Sequence, residues 1–180
     1  DADYDKAINS GPVAADDVVA ASPWAASVKQ AKKLVTGGTK TSEVFSWEDS
    51  KTKKISGFDA AIAQALARYI IGGDDARSLL EVQQVTSETR ETVLTNGTVK
   101  AVIATYTITP ERAKKIDFAG PYYASSQAIL VKADNKDITG VDTLTGDVAV
   151  QSNSSSAAAL KKYAPKATAK PFDTQAKCVA

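Results

Sequence analysis

The chain has 180 residues, 43% of them hydrophobic and 24% charged, with 22 Lys plus Arg against 21 Asp plus Glu. This is the composition of a globular chain of one or two domains, without the clustered positive field that nucleic acid or an anionic membrane would demand. There is no His or Met and a single Cys, which excludes Ser-His-Asp triads, the His-based zinc-protease signature, Cys-rich metal sites and an internal disulfide.

No apolar run is long enough to span a membrane. No signal peptide stands at Asp1, and an opening without Met reads as a processed chain. Residues 1–28 read as a flexible acidic leader: Asp1, Asp3, Asp5, Asp16 and Asp17 face only Lys6, with Gly11, Pro12 and Pro23 as breakers. The alternative there is a short helix around Ala14–Ala21. Lys33–Gly37 reads as a strand. Phe58–Ile71 carries Phe58, Ile62, Leu66 and Ile70 at a spacing of four, one face of a helix, stopped by Gly72-Gly73. Leu79–Val85 reads as a strand, and Ser87–Leu94 as a helix opened by Ser87 and capped at Asn96-Gly97. Ala101–Thr105 is a compact apolar run, expected to be a strand buried on both faces. Thr109-Pro110-Glu111 starts a helix with a capping residue, a proline at the first position and an acid in the first turn. Ser126–Lys132 and Val148–Val150 read as strands. The loop Gln151–Ser156, a helix over Ala157–Tyr163, a strand over Ala167–Phe172 and a helix from Asp173 to Ala180 follow.

Strand–helix alternation predicts an α/β fold with a parallel, doubly wound sheet. Ligands of such sheets sit beyond the carboxyl ends of the strands, here after Gly37, Val85, Thr105 and Val150. No GxGxxG or GxxxxGK[ST] pattern occurs, so nucleotide phosphates have no support.

Four segments carry a resemblance. ATYTITPERAKKIDFAGPYYASSQAILVK (Ala104–Lys132), SGFDAAIAQALA (Ser56–Ala67), VTSETRETVLTNG (Val85–Gly97) and VAVQSNSSSAAALKKY (Val148–Tyr163) resemble, in order and spacing, the solute-binding proteins of polar amino-acid ABC importers, and look closest to the glutamate/aspartate-binding branch. The resemblance implies a periplasmic-binding-protein-like fold, with two α/β lobes joined by crossing strands. Lobe one is expected over 29–124 and nearly complete. The first crossing strand and a partial lobe two are expected over 125–180, the chain stopping inside that lobe. An extracytoplasmic, periplasmic or surface-anchored protein is implied. The leader resembles the spacer of a lipoprotein, with a lipid anchor at a removed N-terminus. ABC permease subunits are the implied protein partner, and no cofactor is implied. An incomplete lobe with open sheet edges invites a strand-exchanged oligomer.

A free amino acid brings an α-carboxylate and an α-ammonium, and a closed cleft must pair both. Arg suits the carboxylate, because its planar fork donates two parallel N–H bonds. Arg112, in the first turn of a helix after a buried strand, fits; the alternative is a surface residue paired with Glu111 or Asp117. The resemblance implies that Thr105, Thr107 and Arg112 hold the α-carboxylate and part of the α-amino group. It implies that Ser87, Arg90 and Lys40 meet a distal carboxylate, so that L-glutamate or L-aspartate is the expected ligand. Arg90 could instead be an exposed helix residue paired with Glu88 or Glu91, and Lys40 a solvated loop charge. The free N–H groups and hydroxyls before the helix at Ala157 make an anion site, from which Ser154, Ser155 and Gln151 would reach the ligand from lobe two; simple capping by one serine is the alternative. In the family the ammonium's acidic partner is an Asp of lobe two beyond Ala180. Asn96-Gly97-Thr98 and Asn153-Ser154-Ser155 match the glycosylation pattern but have structural explanations. Cys178 awaits a partner or is a small buried apolar residue.

The function expected is therefore non-enzymatic capture of glutamate or aspartate for import, with glutamine or another polar amino acid as the alternative. A dehydratase of aromatic amino-acid biosynthesis on the same fold is the enzymatic alternative. With no His it would depend on carboxylates or lysines for proton transfer, and no carboxylate is clearly placed in the cleft. An isolated sensor fragment is the third reading.

Overall fold

The acidic residues near the amino terminus stand at helix starts, where the helix dipole stabilises negative charge. In the computed structural model, which describes all residues from Asp1 to Ala180, Asp3 and Asp5 lie in the first turn of α1 (Ala2–Asn9) and Asp16 and Asp17 in the first turn of α2 (Asp16–Ala20). Ser22 then caps α3 (Pro23–Ala31), its hydroxyl accepting from the Ala25 amide at 3.2 Å with Pro23 at the first helical position. Residues 1–28 are thus helical over most of their length, not the flexible leader expected. Their apolar residues Ala14, Val19, Ala25 and Val28 are buried in one cluster with Leu34, Ala67 and Ile70.

The chain divides into two units. The first comprises Asp1–Val85 and Thr92–Tyr106, the second Thr86–Glu91 and Thr107–Ala180. The division at Tyr106 falls earlier than the boundary expected at 124/125, and residues 86–91 go with the second unit.

In the first unit β1 (Leu34–Gly38) pairs in parallel with β5 (Leu80–Gln84), Leu34 opposite Leu80 and Gly38 opposite Gln84. On its other side β1 holds the segment around Val102: the Gly37 amide donates to the Ala101 carbonyl, and the Ile103 amide to the Gly37 carbonyl, both at 2.9 Å. This run is shorter than the strand expected over Ala101–Thr105. It is half-buried, only Ala104 being fully covered, and its ladder to β1 ends at Ile103. Between β1 and β5 come β2 (Thr41–Ser42), β3 (Ser46–Glu48) and β4 (Ile55–Ser56), a small antiparallel sheet, and α4 (Phe58–Ile71).

Helix α4 has the expected limits, but the face it buries is the alanine-rich one. Asp59, Ala60, Ala63, Gln64, Ala67 and Ile70 are covered, while Phe58 is 41% exposed. Small side chains let the helix approach its neighbours closely, and this outweighs the larger residues' stronger individual drive to leave water. Gly57 precedes it at φ 125, and a Cβ there would lie 2.4 Å from the Phe45 carbonyl oxygen, so only glycine fits.

Helix α1 docks on α4 through polar contacts. The Tyr4 hydroxyl donates to Gln64 Oε1 at 2.7 Å and to the Gly57 carbonyl at 3.2 Å. Arg77 lies 4.5 Å over the Tyr4 ring, donates from Nε to Asp5 and from Nη1 to the Ile55 carbonyl at 2.6 Å. The bond from Arg77 holds the Asp5 carboxyl below the usual range. Burial pushes the Tyr4 phenol up to about 12, against the opposing pull of Arg77.

In the second unit β6 (Gly146–Gln151) and β7 (Ala167–Phe172) pair in parallel, joined by α7 (Ser156–Tyr163), and Thr174 caps α8 (Gln175–Val179). This is the expected strand–helix–strand unit. Cys178 is a free thiol, half-buried in α8. The helix α6 (Pro110–Ala113) starts at Thr109, whose hydroxyl accepts from the Arg112 amide at 3.2 Å. The strand expected over Ser126–Lys132 is not formed: no ladder of the chain includes these residues, and 121–130 are exposed throughout. β-Branched composition makes a strand only where a neighbour accepts its hydrogen bonds. No helix is long and apolar enough to cross a membrane.

Candidate functional site

Thr86, rather than Ser87, opens the helix that carries Arg90. Its hydroxyl accepts from the amides of Glu88 and Thr89, both at 3.3 Å, while the Thr89 hydroxyl accepts from the Thr86 amide at 2.9 Å. This reciprocal arrangement has the logic of a capping box with Thr at the third position. The Arg90 amide then closes the first turn on the Thr86 carbonyl at 3.1 Å, and α5 runs from Arg90 to Thr95. Ser87 is half-buried in the turn. Arg90 is only 4% exposed, which sets aside its alternative as an exposed helix residue; Glu91 instead accepts from Lys115 at 2.8 Å. A buried guanidinium keeps its charge at any physiological pH, so its surroundings must supply acceptors.

The second unit also brings Thr107, Arg112 and Ser155 together. Arg112 donates from Nη1 to the Thr107 carbonyl at 2.8 Å and from Nη2 to the Asn153 carbonyl at 2.9 Å. Two acceptors on two different nitrogens fix the plane of the fork. Asn153 has φ 54, a left-handed conformation that Asn tolerates better than most residues. The hydroxyls of Thr107 and Ser155 lie 3.3 Å apart, and Gln127 Nε2 donates to the Ser155 hydroxyl at 3.2 Å. The other end of the same amide accepts from the Ser156 hydroxyl at 2.9 Å. Asn153 and Gln127 are absent from the sequence-based set. Asn153 could have been suspected as the one residue of the QSNSSS loop suited to positive φ; Gln127 carries no local signal.

The remaining loop residues do local work. The Ser154 hydroxyl donates to the Gln151 carbonyl at 2.7 Å and accepts from the Ser156 amide at 3.2 Å, turning the chain into α7. The Gln151 side chain donates to the Asp173 carbonyl at 3.3 Å and accepts from Gln175 at 3.1 Å, tying β6 to the start of α8.

In the first unit, Lys40 does not stand as a solvated charge. Its Nζ pairs with Glu48 at 3.0 Å, and its amide donates to Gln84 Oε1 at 2.8 Å. The ion pair follows from the backbone, because the Glu48 amide donates to the Lys40 carbonyl at 3.0 Å and makes the two residues cross-strand neighbours. Thr105 is exposed and has φ 47; its amide donates to Asp59 Oδ2 at 2.7 Å. No grouping of three or more carboxylate, Cys or His side chains suited to a metal occurs.

Comparison with known proteins places these residues in a family. Residues 34–175 match the bacterial extracellular solute-binding proteins, family 3. A glutamine-binding protein of Geobacillus stearothermophilus is 36% identical over 150 residues, covering 83% of this chain and 56% of that protein. The glutamate-binding protein GluB of Corynebacterium efficiens is 31% identical over 150 residues, covering 81% of this chain and 50% of that protein. Among solved structures, the ancestral amino acid-binding protein AncCDT-1, a precursor of cyclohexadienyl dehydratase, matches with a TM-score of 0.77 at 31% identity, over 88% of this chain and 69% of that one. The chain spans about half the length of the curated relatives it matches. The α/β, periplasmic-binding-protein-like fold with doubly wound sheets is therefore the fold of this chain, and its location is extracytoplasmic. On the match over residues 34–175, the chain belongs to the bacterial extracellular solute-binding proteins of family 3.

Proposed function

We propose that the protein captures a polar amino acid outside the cytoplasm and delivers it to an ABC importer, without catalysing a reaction, and that glutamine precedes glutamate as its ligand. The observation that carries this reading is the Arg112 guanidinium, whose fork is held in one plane by the carbonyls of Thr107 and Asn153. A fixed fork suits an α-carboxylate, the group common to every amino acid. Thr105, Thr107, Ser155 and the buried Arg90 are the further contacts proposed, with Ser87 beside Arg90. Ser154 and Gln151 shape the loop that presents Ser155.

The order of ligands reverses the expectation drawn from the glutamate/aspartate resemblance. The glutamine-binding relative is more similar than the glutamate-binding one, at 36% against 31% identity. Lys40, the cation expected to meet a second carboxylate, is neutralised by Glu48. With that charge matched, a distal amide is cheaper to desolvate than a distal carboxylate.

Calorimetric titration with L-glutamine, L-glutamate and L-arginine tests the reading. Glutamine is expected to bind most tightly. Arg112→Ala is expected to abolish measurable binding of all three, and Arg112→Lys to restore only a small part, since an ammonium offers a point charge and no fork. Tighter binding of glutamate than glutamine refutes the ligand order; full affinity in Arg112→Lys refutes the role given to the fork.

A further inference from the structure

We propose that Asp59 is a positioning residue for ligand binding: its buried carboxylate clamps the Thr105 amide and keeps Thr105 in the left-handed backbone geometry in which it meets the ligand. The inference rests on the reading of Thr105 as a ligand contact.

Asp59 is 1% exposed, so it acts through Thr105 rather than by touching a solute. Thr105 is β-branched and sits at φ 47, a conformation in which side chains of its type are rare and strained. Such a residue persists only where its surroundings hold it. The ladder to β1 cannot do so, because its last bond is from the Ile103 amide to the Gly37 carbonyl at 2.9 Å. The Thr105 amide donates instead to Asp59 Oδ2, at 2.7 Å.

The choice of acceptor is informative. A carboxylate is a stronger acceptor than a peptide carbonyl, and burying one is costly unless the bonds it makes are good. Asp59 lies in the first turn of α4, where the helix dipole favours its negative charge. The helix therefore supplies a stabilised anion to the residue at which the strand turns. Residues 59 and 105 are 46 positions apart, so no local turn preference accounts for the pairing.

Binding of L-glutamine, L-glutamate and L-arginine is measured by calorimetry on the full chain, as the native sequence, D59N, T105G and the double variant. D59N is expected to weaken whichever of these ligands the native protein binds by about tenfold, a neutral acceptor being the weaker partner, with their order unchanged. In the T105G background the same change is expected to cost less than about threefold, because glycine adopts positive φ without a clamp. Native affinity in D59N, or an equal loss in both backgrounds, overturns the proposal. Absence of binding to the native chain defeats the functional reading instead. The clamp is then decided by hydrogen exchange at the Thr105 amide, which also serves if D59N does not fold. Strong protection in the native chain supports it, and exchange at the rate of an unstructured peptide overturns it.

Discussion

Replacing Tyr4 by Phe tests whether the amino-terminal helix is held by a buried phenol rather than by apolar contact alone. The hydroxyl donates to Gln64 Oε1 and the Gly57 carbonyl, and Gln64 is 2% exposed. The variant leaves that amide oxygen without its donor, at a cost of about 1–2 kcal/mol near neutral pH. The ring beneath Arg77 is retained, so the cation–π contact survives. The second signature is a pH dependence. The folded phenol titrates at about 12 rather than 10.0, burial being the main cause. A raised acid stabilises the fold fully below its unfolded value, and this contribution drains away as pH rises through the interval up to the folded value. Two units would be worth nearly 3 kcal/mol at ~1.4 kcal/mol each, but water reaches the half-buried ring, and about 1 kcal/mol is the realistic size. Urea unfolding of both proteins between pH 8 and pH 11.5 isolates this contribution, since the lysines titrate alike in each. The stability gap should narrow by about 1 kcal/mol over that range. A gap independent of pH, or no gap at all, refutes the reasoning.

Two further perturbations probe the site and its frame. Glu48→Gln releases the charge of Lys40 and should raise glutamate affinity relative to glutamine by about threefold to tenfold in competition titrations, an effect that shrinks in high salt; an unchanged ratio removes Lys40 from the specificity argument. Gly57→Ala places a methyl 2.4 Å from the Phe45 carbonyl at a φ of 125 and should destabilise the chain by on the order of 3 kcal/mol in chemical denaturation; a loss under about 0.5 kcal/mol contradicts that geometry.

What the linear sequence carried was local. The limits of α4 and the Thr109-Pro110 start of α6 rest on caps and periodicity, which act within a turn or two of helix; the parallel pair β6 and β7 follows from strand–helix–strand alternation, and the four family segments from their resemblance to known sequences. The acidic helix starts at Asp3 and Asp16 and the Ser22-Pro23 start of α3 were present too, but charge density and breakers in the same stretch read as a leader. Only the tertiary structure decided which face of α4 is buried, that Tyr4 docks on Gln64, that Glu48 neutralises Lys40, that Asn153 and Gln127 gather at Arg112 and Ser155, and that Asp59 holds Thr105. Most of these pairings join residues far apart in the chain. Whether they form depends on which surfaces the rest of the fold brings together, and composition within one segment carries no record of that.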